Sequence, residues 1–527
     1  MVSQSLENVR RGYRPAIASL LEQIEELQTK ESQDGGAHSE LSTIFPKTYQ
    51  QKTGFFKAGA NVVKRSRAKV GVIFSGGQAP GGHNVIAGLF DACAQIYSEF
   101  ELLGFLEGPR GLIEDQWIAL DAEVVDAYRN LGGFDMIGSG RTKIESSAQF
   151  EAVRKTVTAH GLDGLVVIGG DDSNTNAALL AEDFVQHGVG TQVIGVPKTI
   201  DGDLKNRFVE LSFGFDTATR VYSEMIGNIA TDARSAKKYT HFIKLMGRSA
   251  SHVTLECALK VQPNFAIIAE EVQAKEQSLG QIVEELTDLV MARSKVGKEY
   301  GVILIPEGLL EFIPEVKRLI DQLNAKLEVS ALEESERAIF ESLPRLIQDQ
   351  LLSDRDPHGN VQLSHIDTEK LLVQMVELEL KRRNFSGAFH PLTHFFGYEG
   401  RSGFPSNFDA TYCYNLGFVA AALIKEGKTG YLCALKNLMQ EVRDWQPVGV
   451  ALVDLIEMQE RKGKLKPVIA KALVELDGGP FLSFSEKREG WKLGDDYVQS
   501  GPIQFGDSAD LCNAPPLTLA LESSVVS

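Results

Sequence analysis

The stretch VVIGGDDSNTN, residues 166–176, joins a short apolar run to two glycines and two adjacent aspartates. An apolar run bounded by glycine is typical of a buried strand in a parallel sheet. A glycine turn after such a strand usually directs backbone N–H groups at a phosphate. Asp171 or Asp172 would repel that phosphate by about 4 kcal/mol at roughly 4 Å and a surface dielectric. A bridging Mg²⁺ would reverse the sign for the carboxylate that holds it.

Similar apolar runs alternate with helical patterns from Val70 to about residue 310. This alternation predicts an α/β fold built on parallel sheets. The runs that predict strands are Val70–Phe74, Leu165–Ile168, Val193–Val196, His241–Leu245, Phe265–Ile268 and Val302–Ile305. Because 527 residues are too many for one simple core, we expect two or three domains.

The composition argues against several classes of protein. A net charge of −17 disfavours general binding to nucleic acid or to acidic membranes. No apolar run reaches transmembrane length, and the N-terminal sequence MVSQSLENVRRGYRP lacks the apolar core of a secretion signal. The five cysteines are scattered and form no CxxC pair, so a reducing compartment fits best. We therefore expect a cytoplasmic protein.

Three further blocks flank or interrupt the alternating region. Residues 1–65 contain an amphipathic pattern over 16–30 that predicts a helix, so this block reads as a helical extension. Residues 310–385 place spaced Leu and Ile in a charged background, which predicts a helical insertion. An apolar helix is expected over Tyr412–Ile424, whereas the C-terminal segment 451–527 carries no chemistry that the sequence assigns.

Three polar loops follow predicted strands, where open α/β folds bind their ligands. They are SGGQAPGGH at 75–83, GGDDS at 169–173 and VPKTIDGDL at 196–204. The first is not a Walker A loop, because the Gly-Lys-Ser/Thr ending is missing. Each loop alone could be a plain turn, since Asp and Gly are common in turns. Together they supply amides, a cation, a metal-binding carboxylate and a second carboxylate as base, which phosphoryl transfer needs.

Four other short segments offer groups suited to a sugar phosphate or to the reacting phosphates. LMGR at 245–248 and YEGR at 398–401 each end in an arginine that could bind phosphate through two hydrogen bonds. Glu307 in IPEG could accept hydrogen bonds from sugar hydroxyls, and Arg141 in GSGR could lie over the reacting phosphates. Each arginine taken alone is better explained as a surface charge.

The ordered set SGGQAPGGHN, GSGR, GGDDS, PKTIDGD, MGR, PEG and YEGR resembles the phosphofructokinases over about residues 68–450. Nucleotide-using members of that family typically have glycine at the positions of Asp172 and Lys198. The Asp–Lys combination resembles the pyrophosphate-dependent members. The N-terminal extension and the helical insertion resemble their long form, which includes bacterial enzymes and the plant β subunit.

The resemblance implies roles for the polar residues. Asp171 would bind Mg²⁺, and Asp172 would take the place of a nucleotide's α-phosphate and so exclude ATP. Lys198 would stabilise the phosphoryl group in transfer, Asp201 would be the general base, and Asp203 would orient the base or the metal. The pyrophosphate site would comprise Gly76, through its N–H, with Arg141 and Lys198. The fructose 6-phosphate site would comprise Thr199, Ile200, Asp201, Lys238, Tyr239, Met246, Gly247, Arg248, Glu307, Tyr398, Glu399, Gly400 and Arg401.

The resemblance also implies two Rossmann-like three-layer α/β domains with the active site between them. The donor domain would comprise 66–215 with about 400–450, and the fructose 6-phosphate domain 216–309 with about 386–400. Lys238 and Tyr239 would reach the sugar site of a neighbouring subunit in a homodimer. The residues alone favour a basic helix end for this pair. The expected reaction is reversible phosphoryl transfer from pyrophosphate to the 1-hydroxyl of fructose 6-phosphate, in glycolysis and gluconeogenesis.

Three alternatives stay open on the sequence. An ATP-dependent phosphofructokinase is disfavoured by Asp172 with Lys198. A non-catalytic regulatory subunit is disfavoured because Asp171, Asp201 and Lys198 are all present. An unrelated α/β protein that binds sugar phosphates would explain the glycine loops and arginines, but not the metal carboxylate, the base and the lysine together.

Overall fold

The computed structural model describes residues 10–32, 39–59, 65–326, 329–353, 355, 361, 365–461, 464–499 and 515–525. The strands are β1 Leu27–Glu31, β2 Gly54–Ala58, β3 Arg65–Ser75, β4 Tyr97–Phe105, β5 Trp117–Ala119, β6 Gly164–Gly169, β7 Gln192–Pro197, β8 Thr240–Leu245, β9 Phe265–Ala266, β10 Gly301–Pro306, β11 Pro391–Phe396, β12 Tyr431–Lys436, β13 Gln446–Ala451, β14 Ile456–Arg461 and β15 Lys464–Ile469. The α-helices are α1 Ser19–Glu22, α2 Gly82–Ile96, α3 Pro109–Glu114, α4 Ala122–Tyr128, α5 Ser147–His160, α6 Asp171–Gln186, α7 Phe215–Ala236, α8 His252–Val261, α9 Ala269–Ala274, α10 Leu279–Lys295, α11 Pro314–Lys326, α12 Glu334–Ser342, α13 Arg345–Ser353, α14 Thr368–Arg382, α15 Tyr398–Arg401, α16 Asn407–Lys425, α17 Gly479–Leu493 and α18 Leu517–Val525.

The described residues divide into two compact units. The first unit takes those within Met1–Ala218, Gly400–Ala472 and Ile503–Pro515, and the second takes those within Thr219–Glu399, Leu473–Pro502 and Pro516–Ser527. The C-terminal segment 451–527 therefore contributes to both units. All six predicted strands are present, although the one expected over 265–268 is only the two-residue β9. The predicted α/β fold with mainly parallel sheets is confirmed.

The first unit is built on a nine-stranded sheet with the order β1-β2-β13-β12-β7-β6-β3-β4-β5. Its central strands, from β12 to β4, run parallel, and antiparallel strands close both edges. The long helix α16 is buried along its whole length, which its largely apolar sequence explains. It packs on α2 so closely that a Cβ on Gly88 would lie 2.0 Å from the Tyr414 carbonyl oxygen. This contact fixes α2, whose first two residues are the last two of the first predicted phosphate loop.

The second unit is built on the parallel sheet β11-β8-β10-β9. The predicted insertion is helical, with α11 to α14 packed in one apolar core with α10. A buried lysine on β8 attaches the insertion to the sheet: Lys244 Nζ donates to the Ile366 carbonyl at 2.9 Å and lies 3.1 Å from Glu369. Its ammonium also lies 4.7 Å from the ring centroid of Phe395, so the buried charge has partners on each side.

The predicted helix over 16–30 is wrong. Only α1 is helical there, and β1 then pairs with β2 in an antiparallel register. The segment is held at the C-terminal end of α16 instead, where Lys425 Nζ donates to the carbonyls of Ile24, Glu25 and Leu27. Side chains distant in the sequence therefore satisfy the carbonyls that a helix would have used.

Two segments predicted as loops begin or form helices. Asp171 and Asp172 are the first residues of α6 rather than part of a loop, since carboxylates are stabilised by the positive end of a helix. Tyr398–Arg401 forms the short helix α15. The C-terminal segment forms the hairpin β14–β15 and the helices α17 and α18.

Candidate active site

The three predicted phosphate loops leave the nine-stranded sheet at one edge. In the parallel register, Ser75 at the end of β3 pairs with Gly169 at the end of β6, and Gly169 pairs with Pro197 at the end of β7. The loop after β3, the first turn of α6 and the loop after β7 therefore start side by side. Adjacent carboxyl ends of parallel strands are where ligands bind in such sheets.

The turn after β3 is held by its neighbours and needs glycine. Gly76 has φ +88°, a left-handed conformation that side chains rarely adopt, and a Cβ there would lie 3.4 Å from Lys198 Nζ. Its N–H donates to the Gly140 carbonyl at 2.9 Å, and Ser139 Oγ donates to the Gly76 carbonyl at 2.6 Å. The Gly76 N–H is thus already donated to a carbonyl, and its predicted contact with pyrophosphate stays a prediction.

Three cations lie around this glycine turn. A Cβ on Gly77 would lie 2.9 Å from a terminal nitrogen of Arg401 and 3.9 Å from one of Arg141. Lys198 Nζ lies on the Gly76 side. Arg401, predicted for the sugar phosphate, is thus placed beside Arg141 in the first unit. Convergent guanidinium and ammonium groups at a glycine turn form a site for a polyanion.

Lys198 is a buried cation with a perturbed pKa. Only 6% of its surface is exposed, and this burial lowers the pKa of Lys198 to about 8. The carboxylates of Asp201 and Asp171 raise the pKa, whereas Arg401 and Arg141 lower it further. A buried ammonium between both signs of charge is suited to interact with a phosphoryl group whose charge moves during transfer.

The loop after β7 is rigid for reasons of its own sequence. Thr199 Oγ1 accepts from the Asp201 N–H at 3.1 Å and lies 3.4 Å from Asp203 Oδ1, so the hydroxyl organises the loop. The Ile200 side chain is buried, so only its backbone could reach a ligand. Asp201 is partly exposed and is near enough to Lys198 to raise that pKa. The role of Asp201 as general base stays a prediction. Its partial exposure and its proximity to Lys198 are compatible with that role.

Two carboxylates of this edge converge on a lysine that the sequence did not single out. Lys471 Nζ lies 3.7 Å from Asp171 Oδ2 and 3.5 Å from Asp203 Oδ2. Within the described residues, no group of three or more His, Cys, Asp or Glu could hold a metal ion. Mg²⁺ usually takes only one or two protein carboxylates and fills its remaining positions with water and phosphate oxygens. The pair therefore fits Mg²⁺ bound together with a phosphate.

Asp172 is oriented differently from Asp171. Its side chain is half exposed and lies 3.2 Å from Lys143 Nζ, a second lysine that sequence reasoning missed. No local motif links these two residues, because they are 29 positions apart and meet only through the fold. The predicted role of Asp172 in excluding ATP stays a prediction.

In the second unit, the predicted sugar-phosphate segments also meet at strand ends. Leu245 of β8 pairs with Pro306 of β10 and with Phe396 of β11. The segments that follow, Met246–Arg248, Glu307 and Gly397–Glu399, are therefore neighbours. The buried Glu307 carboxylate accepts from the Gly247 N–H at 3.0 Å, and Glu399 accepts from the Gly397 N–H at 2.9 Å. Arg248 and Tyr398 remain exposed.

Lys238 and Tyr239 lie at the opposite end of the same strand. They precede Thr240, the first residue of β8, and the Lys238 ammonium lies 5.3 Å from the Tyr239 ring centroid. A six-residue strand spans about 20 Å, so this pair and Arg248 cannot contact one small ligand within the second unit of a single chain.

Two general features concern membrane-spanning helices and cysteines. No helix among the described residues is long and apolar enough to span a membrane. Cys93, Cys257, Cys413 and Cys433 are buried free thiols, and Cys512 lies outside the described residues.

Comparison with known proteins gives the same family over most of the chain. The family model described as Phosphofructokinase matches residues 69–424. A Porphyromonas gingivalis protein named pyrophosphate–fructose 6-phosphate 1-phosphotransferase is 49% identical, over 99% of this chain and 100% of that relative. A Treponema pallidum protein of the same name is 54% identical, over 86% of this chain and 83% of the relative.

A solved structure shows the fold at greater distance. The pyrophosphate-dependent phosphofructokinase from Marinobacter aquaeolei superposes with a TM-score of 0.54 at 15% identity, over 84% of this chain and 98% of that chain. At this identity the likeness concerns the fold alone.

Proposed function

This chain belongs to the phosphofructokinase family, and we propose that it transfers a phosphoryl group from pyrophosphate to the 1-hydroxyl of D-fructose 6-phosphate. The products are fructose 1,6-bisphosphate and phosphate. The bonds broken and formed are closer in energy than with ATP, so the reaction runs in both directions. It can therefore serve glycolysis and gluconeogenesis alike.

The observation that carries this proposal is the set of charges at the carboxyl edge of the nine-stranded sheet. Lys198, Arg141 and Arg401 surround the Gly76–Gly77 turn, while Asp171 and Asp201 lie close enough to Lys198 to shift its pKa. Phosphoryl transfer needs positioning and compensation of charge more than covalent chemistry from the protein. A site that holds both signs of charge in fixed places provides this.

On this proposal, the donor residues act in sequence on one phosphoryl group. The cations around Gly77 bind pyrophosphate, and the Lys198 ammonium stabilises the phosphoryl group as it moves. The Asp201 carboxylate takes the proton from the 1-hydroxyl as that oxygen attacks phosphorus. The second phosphate of pyrophosphate is the leaving group, and the same cations stabilise its charge until it dissociates. Asp172 would occupy the place of a nucleotide's α-phosphate, and its negative charge would repel ATP.

In this proposal Asp171 would bind Mg²⁺. Asp203 would be a second carboxylate near the ion, because both carboxylates lie close to Lys471 Nζ. When bound, Mg²⁺ would neutralise charge on the donor phosphates. The chain's own contribution is to hold the two carboxylate oxygens at the edge of the sheet, next to the glycine turn.

The acceptor site is proposed to include the strand ends of the second unit. Arg248 would bind the 6-phosphate, and Glu307, whose carboxylate already accepts from the Gly247 N–H, would accept from a sugar hydroxyl with its other lone pairs. The remaining members are Thr199, Ile200, Met246, Gly247, Tyr398, Glu399, Gly400 and Arg401. A homodimer would bring Lys238 and Tyr239 of a second copy to this site.

The test is turnover by the purified chain alone. Fructose 6-phosphate, pyrophosphate and Mg²⁺ should yield fructose 1,6-bisphosphate and phosphate in equal amounts, and the reverse mixture should yield pyrophosphate. A silent regulatory subunit or a sugar-phosphate binding protein would bind fructose 6-phosphate without turnover, and that result would overturn the proposal. Sedimentation of the same sample would report whether the active species is a dimer.

A further inference from the structure

Lys471 lies just after β15, at the end of the hairpin β14–β15, and faces two carboxylates. Its Nζ is 3.7 Å from Asp171 Oδ2 and 3.5 Å from Asp203 Oδ2. Asp203 is buried, whereas Lys471 and Asp171 are each partly exposed. A surface lysine usually has no fixed partner, and an exposed ion pair contributes little to stability. Contact with two candidate metal carboxylates at once distinguishes this lysine.

The segment that carries Lys471 is attached on both sides to the segments that carry its partners. Before it, the Ile469 N–H donates to Thr175 Oγ1 at 3.1 Å, and Thr175 Oγ1 donates to the Asp171 carbonyl at 2.9 Å. After it, the Ala472 N–H donates to the Asp203 carbonyl at 2.7 Å. The backbone therefore positions the lysine between the two carboxylates.

An ammonium between two carboxylates occupies the place that a divalent cation would take. The two cations repel each other, so Mg²⁺ bound by Asp171 or Asp203 requires the lysine to move away. The ammonium has three donors on a flexible stem, so it can move a short distance and donate to a phosphate oxygen. Pyrophosphate would supply such a phosphate when it binds.

We propose that Lys471 is a positioning residue. In the free enzyme its ammonium neutralises Asp171 and Asp203. When metal and pyrophosphate bind together, the ammonium moves away from the carboxylates and contacts an oxygen of pyrophosphate. This inference rests on the proposed function, because it concerns the same donor site. Metal binding then depends on pyrophosphate: the carboxylates are released to Mg²⁺ only when the lysine has a phosphate to contact. The lysine thereby couples the binding of the two ligands.

The test is metal binding without turnover, on the full chain. Mn²⁺ replaces Mg²⁺, and electron paramagnetic resonance measures free Mn²⁺ in the absence of pyrophosphate. Lys471→Met should bind Mn²⁺ about tenfold tighter than the wild type, because a competing charge is removed. In calorimetry, the preformed Mn²⁺ complex of methylenediphosphonate should bind Lys471→Met about tenfold more weakly, because a phosphate contact is lost.

The proposal predicts opposite changes in two affinities of Lys471→Met. The affinity for Mn²⁺ alone should rise, and the affinity for the Mn²⁺ complex of methylenediphosphonate should fall. A merely structural role would weaken both or neither, and either result would overturn it. Lys466→Met, on an exposed position of the same hairpin, is the matched control and should leave both affinities unchanged. Lys471→Arg keeps the charge and should keep weak Mn²⁺ binding, which also tests the proposal if Lys471→Met does not fold.

Failure of this inference is distinguishable from failure of the proposed function. Wild-type turnover with pyrophosphate, together with unchanged Mn²⁺ affinity in Lys471→Met, would overturn the inference alone. A wild type without turnover would overturn the proposed function, whereas tighter Mn²⁺ binding by Lys471→Met would still support the competition between lysine and metal.

Discussion

The nine-stranded and four-stranded sheets both present loops at the carboxyl ends of parallel strands, but the charges in these loops differ. In the first unit, buried Lys198 lies among carboxylates and guanidinium groups that shift its pKa in both directions. In the second unit, Arg248 is exposed, and the Glu307 carboxylate is already bound to a backbone N–H. Mixed and buried charge suits a group whose charge changes during reaction, whereas an exposed arginine suits a ligand whose charge is constant.

This difference gives a general expectation for variants. Changes at the edge of the nine-stranded sheet should lower turnover, because their groups act on the transition state. Changes at the edge of the four-stranded sheet should raise the KM for the sugar phosphate, because their groups bind substrate and transition state alike.

The largest effect is expected for Asp201→Ala. Loss of a general base should reduce kcat by about a hundredfold to ten-thousandfold, because the carboxylate accepts the proton of the 1-hydroxyl in the transition state. Binding of fructose 6-phosphate, measured by calorimetry without donor, should change only a few-fold at most. If the affinity fell as far as kcat, Asp201 would be a binding residue and the contrast between the two edges would be lost.

Arg248→Met should act mainly on KM. Removal of a charge-assisted contact to the 6-phosphate should raise the KM for fructose 6-phosphate by about tenfold to a hundredfold, with a smaller change in kcat. The matched control is Arg345→Met, which removes a highly exposed arginine elsewhere in the second unit. A fall in kcat at unchanged KM would assign Arg248 to the chemistry and contradict the comparison.

Asp172→Gly tests how the donor edge selects its substrate. Pyrophosphate use should weaken, and kcat/KM with ATP should rise on the order of tenfold once the repelling carboxylate is gone. Adding Lys198→Gly should raise ATP use further. Lys143→Met is the control, because it breaks the ion pair with Asp172 but keeps the carboxylate. No gain with ATP in the single or the double variant would remove this account of the paired aspartates.

The use of pyrophosphate should also depend on pH. The pKa of Lys198 is lowered to about 8, so its ammonium is present below that pH and is lost as the pH rises through it. The kcat/KM for pyrophosphate, which reports the free enzyme, should therefore fall by about tenfold per pH unit above 8. In Lys198→Arg the guanidinium stays charged at this pH. If kcat/KM of this variant still fell above pH 8, the fall would be caused by the titration of another group.

Much of the fold follows from local sequence, because strands β3, β6 and β7 are apolar runs that end in glycine or proline turns. The N-terminal segment could not be predicted in this way. Its apolar spacing fits a helix, but Lys425, almost 400 residues later, binds its carbonyls and holds it at the C-terminal end of α16. Local pattern describes which faces are apolar, whereas the partner that buries them is set by tertiary structure.

The candidate site shows the same division. The glycine turn, Lys198 and the carboxylates lie in short motifs directly after strands, so they were identifiable from residue type and position. Lys143 and Lys471 lie in no motif, and only the fold brings them to Asp172 and Asp171. Pairs of opposite charge that are distant in sequence have no local signal, since lysine is usually a solvated surface residue.

The most direct test of the central claim is a comparison of phosphoryl donors with one preparation of the wild-type chain. Initial rates would be measured with fructose 6-phosphate and Mg²⁺, with either pyrophosphate or ATP as donor. The charges at the edge of the nine-stranded sheet predict a rate with pyrophosphate and almost none with ATP. A rate with ATP and none with pyrophosphate would contradict the role given to Asp172 and Lys198.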